Sequence, residues 1–385
     1  MNKETYKDLL ANRHDFHNLV FKPEKDKNKN DTNMILEKQD LNIFSPINRV
    51  KYYLGNIIAN TNINIEITET DKTVIIPSEH RSISSTPLVI PLTDKLFNSE
   101  VYTHSKYIIS NTLFSEENLK CSIPYVHDLN NYLKIYMGYN DHDKNSNNKM
   151  NYFIFYFGDR TDTKKFPCFV KARKAGIDDY SVILNLNYKR HTCFIPIVKK
   201  YDIPFNEKMN KILWRGDSTG SILNNCLREI LVYKYQNHPN QDIDIKYTNV
   251  SEFIKNTDFE FITATFMPVQ KQLYYKYIIS IEGNDVASNL KWILYSNSVV
   301  LMPKPKCSSW YMEDKLIPWV HYVPLDDSFD DLEDKFNWCL LNDNKCCEIA
   351  KNATEYMNNF LDTESENIIT KMVIEKYFEK VKLVY

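Results

Sequence analysis

Two stretches decide the fold: residues 212–235, ILWRGDSTGSILNNCLREILVYKY, and residues 275–295, YKYIISIEGNDVASNLKWILY. Each opens on a short apolar run of strand length, crosses a polar turn containing glycine, and enters a segment with apolar residues at helical spacing. In the first, a strand over 212–214 leads to a helix over 221–235, apolar at 222, 226, 230 and at 223, 227, 231. In the second, a strand over 277–281 leads to a helix over 286–295, apolar at 286, 290, 293 and 294, with Asn284 or Asp285 placed to cap it.

Working outward, the pattern predicts strands over 243–247, 298–302 and 321–324. Helices are expected over 270–275, briefly near Met312, and over 331–341, 346–360 and 368–381. Strands alternating with helices of these lengths imply a parallel sheet covered on both faces. Upstream lie shorter strand-like runs at 63–68, 73–76, 101–109, 151–157 and 181–186, set among polar loops at 22–40 and 140–150.

The 385 residues suit two domains, and 43% hydrophobic with 25% charged residues is ordinary globular composition. A net charge of −2 argues against a nucleic-acid backbone binder and leaves room for one local basic site. With only 7 glycines, each marks a position of positive φ or close backbone approach. No apolar run has the length of a membrane span, and the charged first 21 residues hold no secretory core. The 8 cysteines form no CxxC pair, so reduced, mostly buried thiols and a cytoplasmic location are expected.

The turn Arg215-Gly216-Asp217-Ser218-Thr219-Gly220 offers backbone N–H groups, hydroxyls and a forked guanidinium at the start of a helix, a setting that suits an oxyanion. Arg228 continues a polar line along that helix. An ordinary turn with a capping serine would look the same, and the P-loop pattern GxxxxGK[ST] is absent. The tripeptide Arg215-Gly216-Asp217 also admits an adhesion reading on three residues. In the second turn Glu282 at a strand tip could accept ribose hydroxyls, or stand as a solvated carboxylate. His321, between Pro318 and Pro324, reads as a satisfied core histidine. Metal binding at the DxD patterns Asp242/Asp244 and Asp141/Asp143 is not expected, since one lies in a strand and the other in a polar loop.

Taken in order, WRGDSTG followed by Arg228, YKYIISIEGNDVASNLKW, SNSVVLMPKP and LIPWVHYVPL make the region from Ile212 to about Asn352 closely resemble glycosyltransferase family 90. The resemblance continues more faintly upstream through FYFGD, FPCFVKAR and NYKRHTCF. It implies an α/β, GT-B-like fold of two Rossmann-like domains with a cleft between them and a helical C-terminus. The corresponding boundaries are 1–205 on the acceptor side, 206–362 for the nucleotide-sugar domain, and 363–385 packing back on the first. It also implies inverting, metal-independent transfer of glucose or xylose from a UDP-sugar to a hydroxyl of a glycan or protein, with no cofactor.

By position, Asp159 matches the family's general base. Arg215, Gly216, Asp217, Ser218, Thr219, Arg228, Lys276 and the run Glu282, Gly283, Asn284, Asp285, Val286, Ala287, Ser288 and Asn289 match the donor site. Many eukaryotic relatives place an arginine at the position of Asn289, and Lys291 is the expected substitute. Lys171 and Arg173 are expected to line the acceptor cleft. A nucleotide-sugar binder that has lost catalysis is the alternative from another class.

Overall fold

The structure, a computed structural model, describes residues 43–55, 57, 167–177, 179–220, 227–250 and 262–384, with short pieces between 61 and 161. Helix α1 (Pro46–Leu54) opens it, followed by β1 (Thr61–Asn64), β2 (Glu66–Thr68), β3 (Thr73–Ile75), β4 (Leu88–Pro91), β5 (Tyr152–Phe155), β6 (Cys168–Val170), β7 (Ala172–Lys174) and β8 (Ser181–Ile183). Two short helices, α2 (Tyr188–Thr192) and α3 (Ile195–Tyr201), close this half. In it, β4, β5, β6 and β8 form a mixed sheet in that order, antiparallel at β4–β5 and parallel beyond.

The second half begins with β9 (Met209–Asp217), α4 (Leu227–Tyr235), β10 (Ile243–Asn249), α5 (Val269–Gln272), β11 (Tyr275–Ile279) and α6 (Leu290–Tyr295). It continues through β12 (Val299–Pro303), β13 (Cys307–Ser309), a 3-10 turn at Glu313–Lys315, and β14 (Val323–Leu325). Helices α7 (Leu332–Leu341), α8 (Asp343–Asn358) and α9 (Thr363–Lys380) lead to β15 (Val381–Val384). Five strands make one wholly parallel sheet in the order β10-β9-β11-β12-β14. Counted by their place in that sheet the order is 2-1-3-4-5, which reverses direction between its first and third strands, β9 and β11. At such a switch point the connections leave toward opposite faces and open a crevice at the strands' carboxyl ends.

Alternation along the strands sorts the core into two layers. Tyr277, Ile279, Val299 and Leu301 point into a cluster with Leu231, Val232, Phe336 and Cys339 from α4 and α7. Ile278, Val300 and Met302 point the other way, into a cluster with Trp292 and Ile293 of α6 and Met357 of α8. That second cluster runs on through Phe169, Val182 and Ile183 of the mixed sheet and Val373 and Tyr377 of α9. Two backbone pairings add to it: β7 with β13, antiparallel, and β1 with β15, parallel.

The expected strands and helices recur with shifted ends. The predicted helix over 270–275 stops at Gln272, because Tyr275 already pairs in the sheet as the first residue of β11. The helix expected from 286 starts only at Leu290, and neither Asn284 nor Asp285 caps it. The cap position is Asn289, whose amide oxygen accepts the Ser280 hydroxyl at 3.0 Å and ties the helix to the end of its own strand. Helix α8 begins at Asp343 and α9 at Thr363, ahead of the predicted starts; the Asp362 side chain caps α9 by accepting the Ser365 N–H at 2.9 Å. The expected strand over 101–109 and residues 221–226 of the first predicted helix lie outside the described residues.

One buried ion pair joins the beginning of this architecture to its end. The Arg49 guanidinium of α1 donates to both carboxylate oxygens of Glu366 in α9, at 2.6 and 2.8 Å and 317 residues away. Tyr53 accepts two further Arg49 donors at 2.9 and 3.0 Å, stacks on Trp310 at 4.0 Å, and donates to the Trp310 carbonyl, while the Asn359 carbonyl accepts another Arg49 donor at 3.1 Å. Removing one partner strands a charge in a site from which water is excluded. Arg49→Leu is expected to lower unfolding free energy by about 3–5 kcal/mol, and Arg49→Leu with Glu366→Leu by less than the sum of the single changes. Urea denaturation checks this; additive losses would show that the two residues do not act as a pair.

Candidate functional site

The two glycine turns of the sequence meet at the switch point. Residues 217–220 leave the carboxyl end of β9, and residues 280–289 leave that of β11. Gly220 has φ +89°, and a side chain there would put its Cβ 2.6 Å from the carbonyl carbon of Gly283. A Cβ on Gly283 would in turn lie 2.9 Å from both the Thr219 hydroxyl and the Arg228 guanidinium. The two backbones are therefore in contact, and glycine is what allows it.

Arg228, in the first turn of α4, stitches this junction. Its guanidinium donates to the Asp217 carbonyl and the Thr219 hydroxyl, both at 2.8 Å, and to the Ile281 carbonyl at 3.0 Å, so one side chain holds both turns. The Asp217 carboxylate accepts the Thr248 hydroxyl at 2.9 Å, and the Ser218 N–H donates to the Asn249 carbonyl. The exit of β9 is thus anchored to β10 on one side and to β11 on the other.

A shallow cleft lies at the carboxyl ends of β11 and β12, bounded by Leu227, Ser280, Glu282, Val286, Met302 and Pro305 among others. One Glu282 oxygen accepts the N–H groups of Lys306 at 3.1 Å and Cys307 at 3.0 Å, which fixes the connection from β12 to β13 along the cleft. Burial pushes the Glu282 carboxyl up to about 8, against the downward pull of those two N–H groups.

Opposite the second turn stands Asp159, just beyond β5. Burial would raise its pKa, but attraction and hydrogen bonding from Lys171, with help from Arg190 and Asn284, outweigh burial and hold it below the ordinary aspartate value. Lys171 Nζ lies 2.5 Å from Asp159 and 2.7 Å from Asp285 of the turn. Asp285 sits higher, at about 6, because burial and the nearby Asp159 charge oppose its ionisation more than Lys171 supports it.

Several residues matched by sequence position are placed differently. Arg215 does not reach the turn: it donates to the Asp244 carboxylate at 2.5 Å and to the Asp244 carbonyl at 3.0 Å. That pair, with Lys246 at 3.0 Å, also occupies the second carboxylate of the Asp242/Asp244 pattern; Asp141 and Asp143 lie outside the described residues. Arg215 and Gly216 are interior to β9, paired with Lys246 and Tyr247 of β10, which is not the exposed loop an adhesion tripeptide needs. Lys276 is the second residue of β11, at the strand end away from the turn, and pairs with Asp343 at 2.9 Å.

Lys291 is fully buried against Glu313 at 2.6 Å and is not presented as a phosphate contact. Asn289 is spent on Ser280. Arg173 bonds the carbonyls of Tyr52 and Ser181 at 2.5 and 3.0 Å and so serves the scaffold. His321 behaves as its sequence context suggests, accepting the Ile317 N–H at 2.9 Å beside Tyr356. The residues brought together are Asp217 to Gly220, Arg228, Glu282 to Ala287, Lys171 and Asp159. Glu313 and the Lys304–Pro305 edge of the cleft were not singled out in the sequence; the MPKP run at the end of a strand was the available signal.

Comparison with known proteins adds a lineage to this geometry. The family model described as glycosyl transferase family 90 matches residues 180–383. An O-glucosyltransferase, LpsA, of Dichelobacter nodosus is 35% identical over 227 residues, 59% of this chain and 66% of that protein. An uncharacterised protein, 035R, of invertebrate iridescent virus 3 is 30% identical over 189 residues, 45% of this chain and 17% of its own length. Human protein O-glucosyltransferase 3 is 28% identical over 129 residues, 33% of this chain and 25% of its own length. The chain thus spans 66% of the bacterial relative and a quarter or less of the other two.

Two stability measurements follow. Gly220→Ala forces both a positive-φ alanine and a backbone collision, so a loss of at least about 1–3 kcal/mol is expected in chemical denaturation; wild-type stability would mean that the turns do not touch. Glu282 holds its proton more tightly folded, at about 8, than unfolded, near the ordinary glutamate value of about 4.3. Folding is then favoured below the unfolded value and loses that contribution as pH rises toward 8. Glu282→Gln should flatten the decline in Tm between these limits, and a parallel decline in both proteins would refute the assignment.

Proposed function

Since the chain belongs to glycosyl transferase family 90, we propose that it moves a sugar, glucose or xylose, from a UDP-sugar to a hydroxyl of a glycan or protein acceptor. The reading includes inversion at the anomeric carbon, no metal and no further cofactor. It also takes the two halves as a GT-B pair, with the acceptor on the side of residues 1–205 and the donor on residues 206–362, and with 363–385 returning to the first. The observation that carries it is the contact of two glycine turns at the switch point of a parallel sheet, with a carboxylate held across from them.

Asp159 accepts the proton of the acceptor hydroxyl. The freed oxygen bonds to the anomeric carbon from the side opposite the nucleotide while the bond to the diphosphate oxygen breaks, and UDP departs with that electron pair. A carboxylate is a suitable base here because it stays ionised, being held below the ordinary aspartate range. Charge gathering on the leaving diphosphate meets Arg228, the hydroxyls of Ser218 and Thr219, and the backbone of the two turns. These dipoles are fixed before the reaction and cost no reorganisation during it. Glu282 faces the cleft wall where ribose hydroxyls would need an acceptor.

Asp159→Asn is expected to lower transfer by about 10²- to 10⁴-fold with donor affinity kept, and Arg228→Ala to weaken donor affinity by about ten- to a hundredfold. Transfer kinetics and equilibrium binding across UDP-glucose and UDP-xylose measure both. Turnover retained by Asp159→Asn would overturn the base assignment, and unchanged donor affinity in Arg228→Ala would overturn the other. Binding of a nucleotide sugar with no transfer or hydrolysis by the wild type would establish the inactive binder instead.

A further inference from the structure

One ammonium serves two carboxylates of different segments. Lys171 lies between β6 and β7 with its side chain 3% exposed; Asp285 is 5% exposed and Asp159 26%. Its ion pairs reach forward from the mixed sheet to the turn after β11 and back to the residue beyond β5. Among the described residues it is the one cation in ion-pair contact with either acid. Its side chain is buried and its charge is shared between two carboxylates, so the cleft-lining role expected from its position in FVKAR gives way to an internal one.

Resting on the reading of Asp159 as the base, we propose that Lys171 is a positioning residue: it sets Asp159 against the donor-side Asp285, keeps the base ionised, and ties its basicity to the state of that turn. One positive charge cannot fully satisfy two acids in a site of low polarity. The ion pair is shorter to Asp159, which is also the more exposed acid, and the more deeply buried Asp285 is the weaker claimant.

The other groups facing the trio are Tyr125, whose ring lies 5.9 Å from Lys171 Nζ, Arg190 and His191 of α2, Lys291 of α6, the Cys307 thiol on the side of Asp285, and the uncharged Asn284 amide at Asp159. His191 is buried without a hydrogen-bond partner on either ring nitrogen; burial first, then Lys291, Lys171 and Arg190, keep it neutral. It therefore supplies no competing charge. When Asp159 takes the acceptor's proton, Lys171 is left with Asp285 as its ionised partner. When that proton leaves, the original pairing returns. Within the trio itself no other covalent bond changes; the bonds made and broken at the anomeric carbon are those of the transfer.

The test is the pH profile of kcat/KM for sugar transfer in Lys171→Met, Lys171→Arg and Lys171→Met/Asp285→Asn. Lys171→Met should raise the acid limb by about one to two pH units, whereas Lys171→Arg should keep it near that of the wild type. In the double variant Asp159 has lost its counter-ion but also its like-charged neighbour, so its limb should fall between the other two. A residue that merely fills space would not produce that order. A Lys171→Met limb coinciding with the wild type, or a double variant whose limb is no lower than that of Lys171→Met, would overturn the proposal. If Lys171→Met does not fold, the double variant, which removes both buried charges together, decides alone: a limb above the wild type supports the role and a coincident one refutes it. Failure of the underlying reading looks different, because Asp159→Asn would then turn over like the wild type.

Discussion

The rest of the site depends on how closely residues 220 and 283 approach. No side chain fits at either position, so the exits of β9 and β11 can touch, and that contact turns a general property of parallel sheets into one particular cleft. Any such sheet has a crevice where its strand order reverses. Here the crevice is narrowed to backbone contact and then locked by Arg228, which binds carbonyls and a hydroxyl of both turns. A guanidinium suits that place because its donors are rigidly planar and several acceptors can be met at once. A chain with only 7 glycines spends two of them on this one contact.

Much of this was legible in the sequence, for identifiable reasons. The parallel sheet followed from alternating apolar strands and amphipathic helices, and the turns from glycine at strand ends, both local signals. What the sequence hid were the partners of charged residues. Arg215, Lys276 and Lys291 have the chemistry of phosphate ligands, yet each pairs with a carboxylate distant in the chain: Asp244, Asp343 and Glu313. Nothing local separates an arginine that waits for a ligand from one that already has an acid. Lys171 was hidden in the same way, because its acids lie 12 residues before it and, as Asp285, in the other half of the chain. Element ends failed for a related reason: Asp285 looks like a helix cap but is committed to Lys171, and the helix starts later, at Leu290 behind Asn289.

The burial of acids near the cleft has an energetic cost that the scaffold meets elsewhere. Glu282 and Asp285 are both pushed above their ordinary values by burial, so each opposes folding as pH rises. Against them stand apolar layers on both faces of the parallel sheet and the Arg49–Glu366 pair that clasps α1 to α9. Strained or unfavourable groups concentrated at one place, with well-packed structure around them, is the distribution expected when a site is held in shape by its surroundings.

The second turn shows most directly what that dependence means. From Glu282 to Asn289 the backbone is neither strand nor helix, and a segment of bends has few hydrogen bonds of its own to define it. Its shape comes from contacts at both of its ends and in its middle. Glu282 is tied to the backbone of residues 306 and 307, Gly283 abuts Gly220, Asp285 is held by Lys171, and Asn289 is bonded to Ser280. Two of these partners belong to other turns of the same sheet, one to the opposite half, and one to the turn's own strand. The turn can therefore take its final form only after the halves have come together. Its geometry is set by the assembled fold, and a charge removed on the far side at Lys171 acts on it as directly as a change within it.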